Sequence, residues 1–77
     1  MKKLVSFVDE DADIIGPWHE IEGLDPPQSN QLVTLAQDGF KDVVYRVTDV
    51  RHVLHRSLDG DFAQMIDIVL TKVEATN

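Results

Sequence analysis

The residues best equipped for chemistry in this 77-residue chain lie close to its N-terminal end. Asp9, Asp11 and Asp13 recur at alternate positions, and Glu20 stands at the twelfth place of the same window. In an EF-hand loop that spacing gathers carboxylate oxygens around a calcium ion. The match is incomplete: Ile14 occupies the place of the glycine that makes the sharp turn, Trp18 stands at the tenth position, and neither flank carries an amphipathic helix. The stretch therefore reads first as a solvated acidic connector. A small metal-dependent protein or enzyme using the acidic loop 9–20 and the histidines is the competing reading from a different class.

The other chemistry-bearing types give less. His52 and His55 lie three apart, which on a strand sends them to opposite faces, and His19 belongs to a different segment. A shared imidazole site would need a helix there. Ser6, Ser29 and Ser57 lack nucleophile-elbow glycines, and Gly16, Gly23, Gly39 and Gly60 are scattered as turn residues without the spacing that cradles a phosphate. With no cysteine, a thiolate nucleophile, a Cys-ligated zinc and a disulfide framework are excluded together. The chain reads as a non-enzyme, with no catalytic residue, metal or cofactor expected.

The formal net charge of −7 is unevenly placed. Residues 1 to 26 hold seven acids against Lys2 and Lys3, a net of −5, whereas 27 to 51 balance and 52 to 77 carry −2. Binding a polyanion depends on Lys and Arg neutralising phosphates, so direct contact with nucleic acid is not expected. A protein partner with a basic surface is expected, and Asp9, Asp11 and Asp13 would steer it. Pro17 and Trp18 follow along the chain, and an aromatic residue rimmed by charge is a common interface anchor. These five are the candidate partner-binding residues. Trp18 has a second reading as a core residue, because either it or Tyr45 is needed to fill a small core. Pro26 and Pro27 would stiffen the neighbouring connection. An acidic decoy that occupies the nucleic-acid-binding surface of another protein is the alternative within the binding class.

The elements that must position these residues are strands. Residues 2 to 8 are rich in β-branched and aromatic types and end in Asp-Glu-Asp, which predicts a first strand running into a polar loop. A second is predicted at 17 to 22, between Gly16-Pro17 and Gly23-Leu24-Asp25-Pro26-Pro27. Gln31 to Gln37 stops at Asp38-Gly39, a hairpin signal, so the third and fourth strands are joined directly. The fourth, Asp42 to Arg56, alternates in one phase through Val43, Tyr45 and Val47 and in the other through Val50, His52 and Leu54. A slip of one residue near Thr48-Asp49 needs a bulge, or the apolar set changes face. Asp59-Gly60 turns the chain into 62 to 73, where Ile66, Ile68 and Leu70 share one face of a nearly central fifth strand. Phe62, Met65, Ile66, Val69, Leu70 and Val73 also fit a helical stripe, which makes a sheet with a C-terminal helix the runner-up.

So short a chain allows one domain, residues 1–77, and 43% apolar with 27% charged residues is a globular composition. No apolar run suits a membrane span or a signal peptide, so a cytoplasmic protein without membrane contact is expected. The fold class expected is all-β: a small five-stranded antiparallel SH3-like barrel or strongly bent sheet. Gly16-Pro17-Trp18, Gly23-Leu24-Asp25-Pro26-Pro27 and Tyr45-Arg46-Val47 give a layout that resembles small SH3-like barrel proteins of phages and mobile elements, over about 16 to 73. What the resemblance implies is a non-catalytic protein-binding or assembly module. Self-association as a homodimer is also expected, because Val44, Val53, Met65 and Val69 give the long strands a second apolar face.

Overall fold

The computed structural model describes residues 2–73. Five strands follow one another along the chain: β1 (Lys2–Val8), β2 (Ile21–Glu22), β3 (Leu32–Leu35), β4 (Val43–Arg56) and β5 (Phe62–Lys72). They form one sheet in the order β2-β1-β5-β4-β3, with no helix among the described residues, so the all-β expectation holds and the helical runner-up for 62–73 does not. The sheet is open: β2 and β3 lie at opposite edges. Alternation decided 62–73, because Ile66, Ile68 and Leu70 share a face that the sheet buries completely, whereas a helix would have left Ile68 outside its apolar stripe.

β5 is the central strand, as its apolar character on both faces requires. It pairs antiparallel with β4 from Tyr45 opposite Lys72 to Arg56 opposite Phe62. The register shifts between Val47 and Asp49, which makes Thr48 the extra residue of a bulge and keeps Val47 and Val50 on the same side of the sheet. The phase slip in the sequence is this bulge. Asp38-Gly39 and Asp59-Gly60 are the two hairpin turns, with Gly39 and Gly60 at φ 88° and 89°, where a Cβ is disfavoured.

Two elements depart from the sequence reading. β1 was expected in an antiparallel arrangement, and it does pair so with β2, but against β5 it runs parallel from Lys2 opposite Ala63 to Val8 opposite Val69. The sheet is therefore mixed. The second strand shrinks from 17–22 to Ile21–Glu22, because Gly16 (φ 53°) and Pro17 form a turn in which the Trp18 N–H donates to the Ile15 carbonyl (3.1 Å). That turn is tied to β1, with Ile15 N–H donating to Phe7 O (3.0 Å) and Phe7 N–H donating to Trp18 O (2.8 Å).

The core lies on one face of the sheet and consists of Val5, Phe7, Leu35, Val47, Ile66, Ile68 and Leu70. Among the described residues no second sheet covers it. The connection from β1 to β3 folds over that face and supplies Ile15, Trp18, Ile21 and Leu24 as a half-buried lid, with Val33, Tyr45 and Val50 packed at the side. On the other face Val8 and Val69 bury one another as cross-strand neighbours, and Val69 is only 4% exposed. The second apolar face that motivates self-association is thus partly covered within one chain, leaving Val44 and Val53 as its exposed members.

Candidate functional site

The five residues singled out in the sequence fall into two neighbouring but separate places. Pro17 and Trp18 line a groove of about 500 Å³ together with Ile15, Leu35, Phe40 and Tyr45. Asp9, Asp11 and Asp13 line none of it and sit in the preceding loop, beside the end of β5.

That loop is built by Asp9. Its Oδ1 accepts the N–H of Asp11 (2.9 Å) and of Asp13 (3.0 Å), while its own N–H donates to the Asp13 carbonyl (2.9 Å) and its carbonyl accepts from Ala12 N–H (3.0 Å). A short carboxylate satisfying nearby backbone donors is the turn chemistry of aspartate. Ala12 takes φ 66° to complete the turn, a conformation that costs a residue with a Cβ about 1–2 kcal/mol. The loop is docked at its base, where the Thr71 hydroxyl donates to Glu10 Oε1 (2.5 Å) and Ile14 bridges to Val8. Asp11 and Asp13 remain exposed. Glu20 is held elsewhere, with its N–H donating to Ser6 Oγ (3.3 Å). The alternating carboxylates thus shape a turn instead of converging on a common point, and among the described residues no group of three or more His, Asp or Glu is placed to hold a metal ion. His52 and His55, opposite Ile66 and Ala63 on β5, project from opposite faces of β4.

The groove is apolar and aromatic. Trp18 combines both roles considered for it, since it packs on the core cluster and also forms part of the groove wall. Tyr45 is likewise half-buried, held by β4 opposite Val33 of β3. Phe40, just past the Asp38-Gly39 turn, is 72% exposed. Its N–H donates to the Gln37 carbonyl (3.0 Å), which fixes the turn and places the ring at the groove mouth. The charged residue on the groove rim is Lys41. Sequence reasoning missed Phe40, Lys41 and Leu35 as groove residues, because only the β3–β4 hairpin, folded beside the Ile15–Trp18 turn, brings them there.

The fold and site together define a small all-β domain with an open mixed sheet and one aromatic groove. Compared with protein-family models, curated proteins and solved structures, the chain gives no match. No helix among the described residues is long and apolar enough to cross a membrane.

Proposed function

We propose that this chain is a non-catalytic protein-binding or assembly module that docks its partner at the groove formed by Pro17, Trp18, Phe40 and Tyr45. The observation that carries this reading is Phe40: an aromatic ring left largely exposed beside two half-buried aromatic residues, in a concave apolar setting, is the arrangement of an interface anchor and not of a core. A partner apolar at the contact and basic around it suits the surroundings, since exposed Asp11 and Asp13 lie in the segment leading into the groove. The resemblance to SH3-like barrels of phages and mobile elements supports a binding role by analogy alone.

The test rests on Phe40→Ala, which leaves the buried core untouched. Measured against a partner isolated with the wild-type chain, it should accelerate dissociation by a factor corresponding to about 2 kcal/mol while thermal stability stays within a few degrees. Replacing Asp11 and Asp13 with asparagine should slow association and flatten its salt dependence. Unchanged binding kinetics for folded Phe40→Ala would remove the groove as the docking site. Trp18→Ala cannot serve alone, because that ring also supports the core.

A further inference from the structure

β4 outlasts its neighbour on one side. β3 pairs with it only from Val43 to Arg46, and Val47 continues that contact by accepting from Asn30 N–H (2.8 Å) and donating to the Gln31 carbonyl (2.9 Å). Beyond the Thr48 bulge the outer edge of β4 has no strand beside it among the described residues. The inner edge remains fully paired with β5 as far as Arg56.

The parity of the ladder shows which backbone groups the open edge presents. Ser57 N–H turns inward to the Asp61 carbonyl (2.8 Å), so in an antiparallel ladder Arg56, Leu54 and His52 turn N–H and C=O outward. Val50 belongs to the same set, and its N–H is already taken by Asp49 Oδ1 (2.9 Å). Where an added outer strand would begin, Pro26, Pro27, Gln28 and Ser29 stand off from Val50 and His52 and leave a cleft of about 380 Å³. A strand laid against β4 would run through that cleft at the usual separation of about 4.8 Å.

The side chains along this edge select the occupant. All three arginines of the chain lie on β4, and from Val50 to Leu58 there is no carboxylate, only Arg51, His52, His55 and Arg56 among apolar residues and Ser57. Arg51 pairs with Asp49 (3.2 Å) and faces Asp67 across the ladder, whereas Arg56 is directed over the Phe62 ring (5.8 Å). Asp59 and Asp61 lie past the strand end in the turn. In a chain of net charge −7 this is a cationic edge. A second copy fits less well than an acidic strand, because self-pairing lays together two edges that each carry Arg51 and Arg56 and no carboxylate from Val50 to Leu58.

We propose that the outer edge of β4 from Val50 to Arg56 accepts an extended acidic segment of a partner protein as an added antiparallel or parallel strand. The unpaired N–H and C=O groups of His52, Leu54 and Arg56 supply the main-chain bonds, and Arg56 with His52, which share one face of β4, select carboxylates at alternate positions. The site is separate from the aromatic groove and does not depend on it.

The experiment follows backbone amide exchange by NMR in the full chain, with and without a capped peptide of alternating glutamate and valine matched in length to Val50–Arg56. Exchange at His52, Leu54 and Arg56 should slow by at least about tenfold with the peptide near saturation. A lysine-valine peptide of the same length should give no protection. Leu54→Pro removes an outward donor while leaving the β5 ladder intact, so it should weaken peptide binding by more than about tenfold with little change in thermal midpoint. Should that variant unfold, Arg56→Glu carries the test: it should weaken the glutamate peptide and admit the lysine one. Absence of protection at millimolar peptide, equal protection by the lysine peptide, or a two-chain mass in sedimentation with these amides protected before peptide is added would each overturn the proposal.

Discussion

The β4–β5 hairpin is one continuous ladder, yet its two halves have opposite surroundings. From Val43 to Val47, β4 is flanked by β3 and by Asn30-Gln31, and as far as Val50 its inner face joins the core packing. From Arg51 to Arg56 it has neither, and every residue is exposed, Leu54 at 68%. The hydrogen-bonding pattern to β5 is the same in both. Burial here is therefore set by what lies beside and above the strand, not by the ladder itself, and stability should follow burial, since paired backbone groups contribute only modest net energy.

The sharpest way to break this comparison is Val47→Asp, in the flanked half of the strand. Val47 is fully buried opposite Leu70 in the core, so a carboxylate there would have neither solvent nor partner. The expected outcome is loss of cooperative unfolding, or a drop of more than about 4 kcal/mol, because a buried unpaired charge replaces a valine. A well-folded Val47→Asp variant in chemical denaturation would show that the flanked half is packed no more tightly than the exposed one.

Next in size, Ile68→Ala on the central strand should cost about 3 kcal/mol in a denaturant titration, since the side chain is fully buried opposite Val50. Gly60→Ala, in the turn that closes the exposed half, should cost about 1 kcal/mol: a Cβ there meets no atom closer than 3.9 Å, so the penalty is that of φ 89° alone. The smallest effect is assigned to Val53→Ala, within about 0.5 kcal/mol of wild type although it sits on the same ladder. If Val53→Ala and Ile68→Ala proved equally damaging, the exposed half would have to be covered in solution.

Strand positions were legible where the local pattern was strong. β1 ends at Val8 because three acids follow, and the bulge at Thr48 is visible because Val47 and Val50 cannot otherwise share a face. The parallel pairing of β1 with β5 was not legible, since alternation tells a strand which face to bury but not which neighbour to take. Residues 17–20 misled through composition: alternating Trp18 and Glu20 resemble a strand, but Gly16-Pro17 turns the chain and hands Trp18 to the core and groove. Of the groove lining, Pro17 and Trp18 were singled out by their type, whereas Phe40 belongs to no periodic segment and comes into view only where the β3–β4 hairpin meets the Ile15–Trp18 turn. The acidic residues were read correctly as a connector, but the role of Asp9 as the hub of its turn depends on backbone geometry that spacing alone does not reveal.

The parallel pairing of the first strand with the last has a consequence for how the chain comes into being. Of the five strands β1 leaves the ribosome first, and its long pairing partner, Ala63 to Val69 of β5, leaves last. Until then β1 can find only the Ile14–Trp18 turn and the two-residue β2, too short to hold an isolated ribbon. The β3–β4–β5 meander can form from neighbouring segments, whereas β1 must close a loop that spans most of the chain before its apolar side chains are rewarded. Val5 and Phe7, both buried in the finished core, therefore wait exposed until β5 is made, and Lys3 beside them supplies charge that discourages strangers from pairing with the waiting strand.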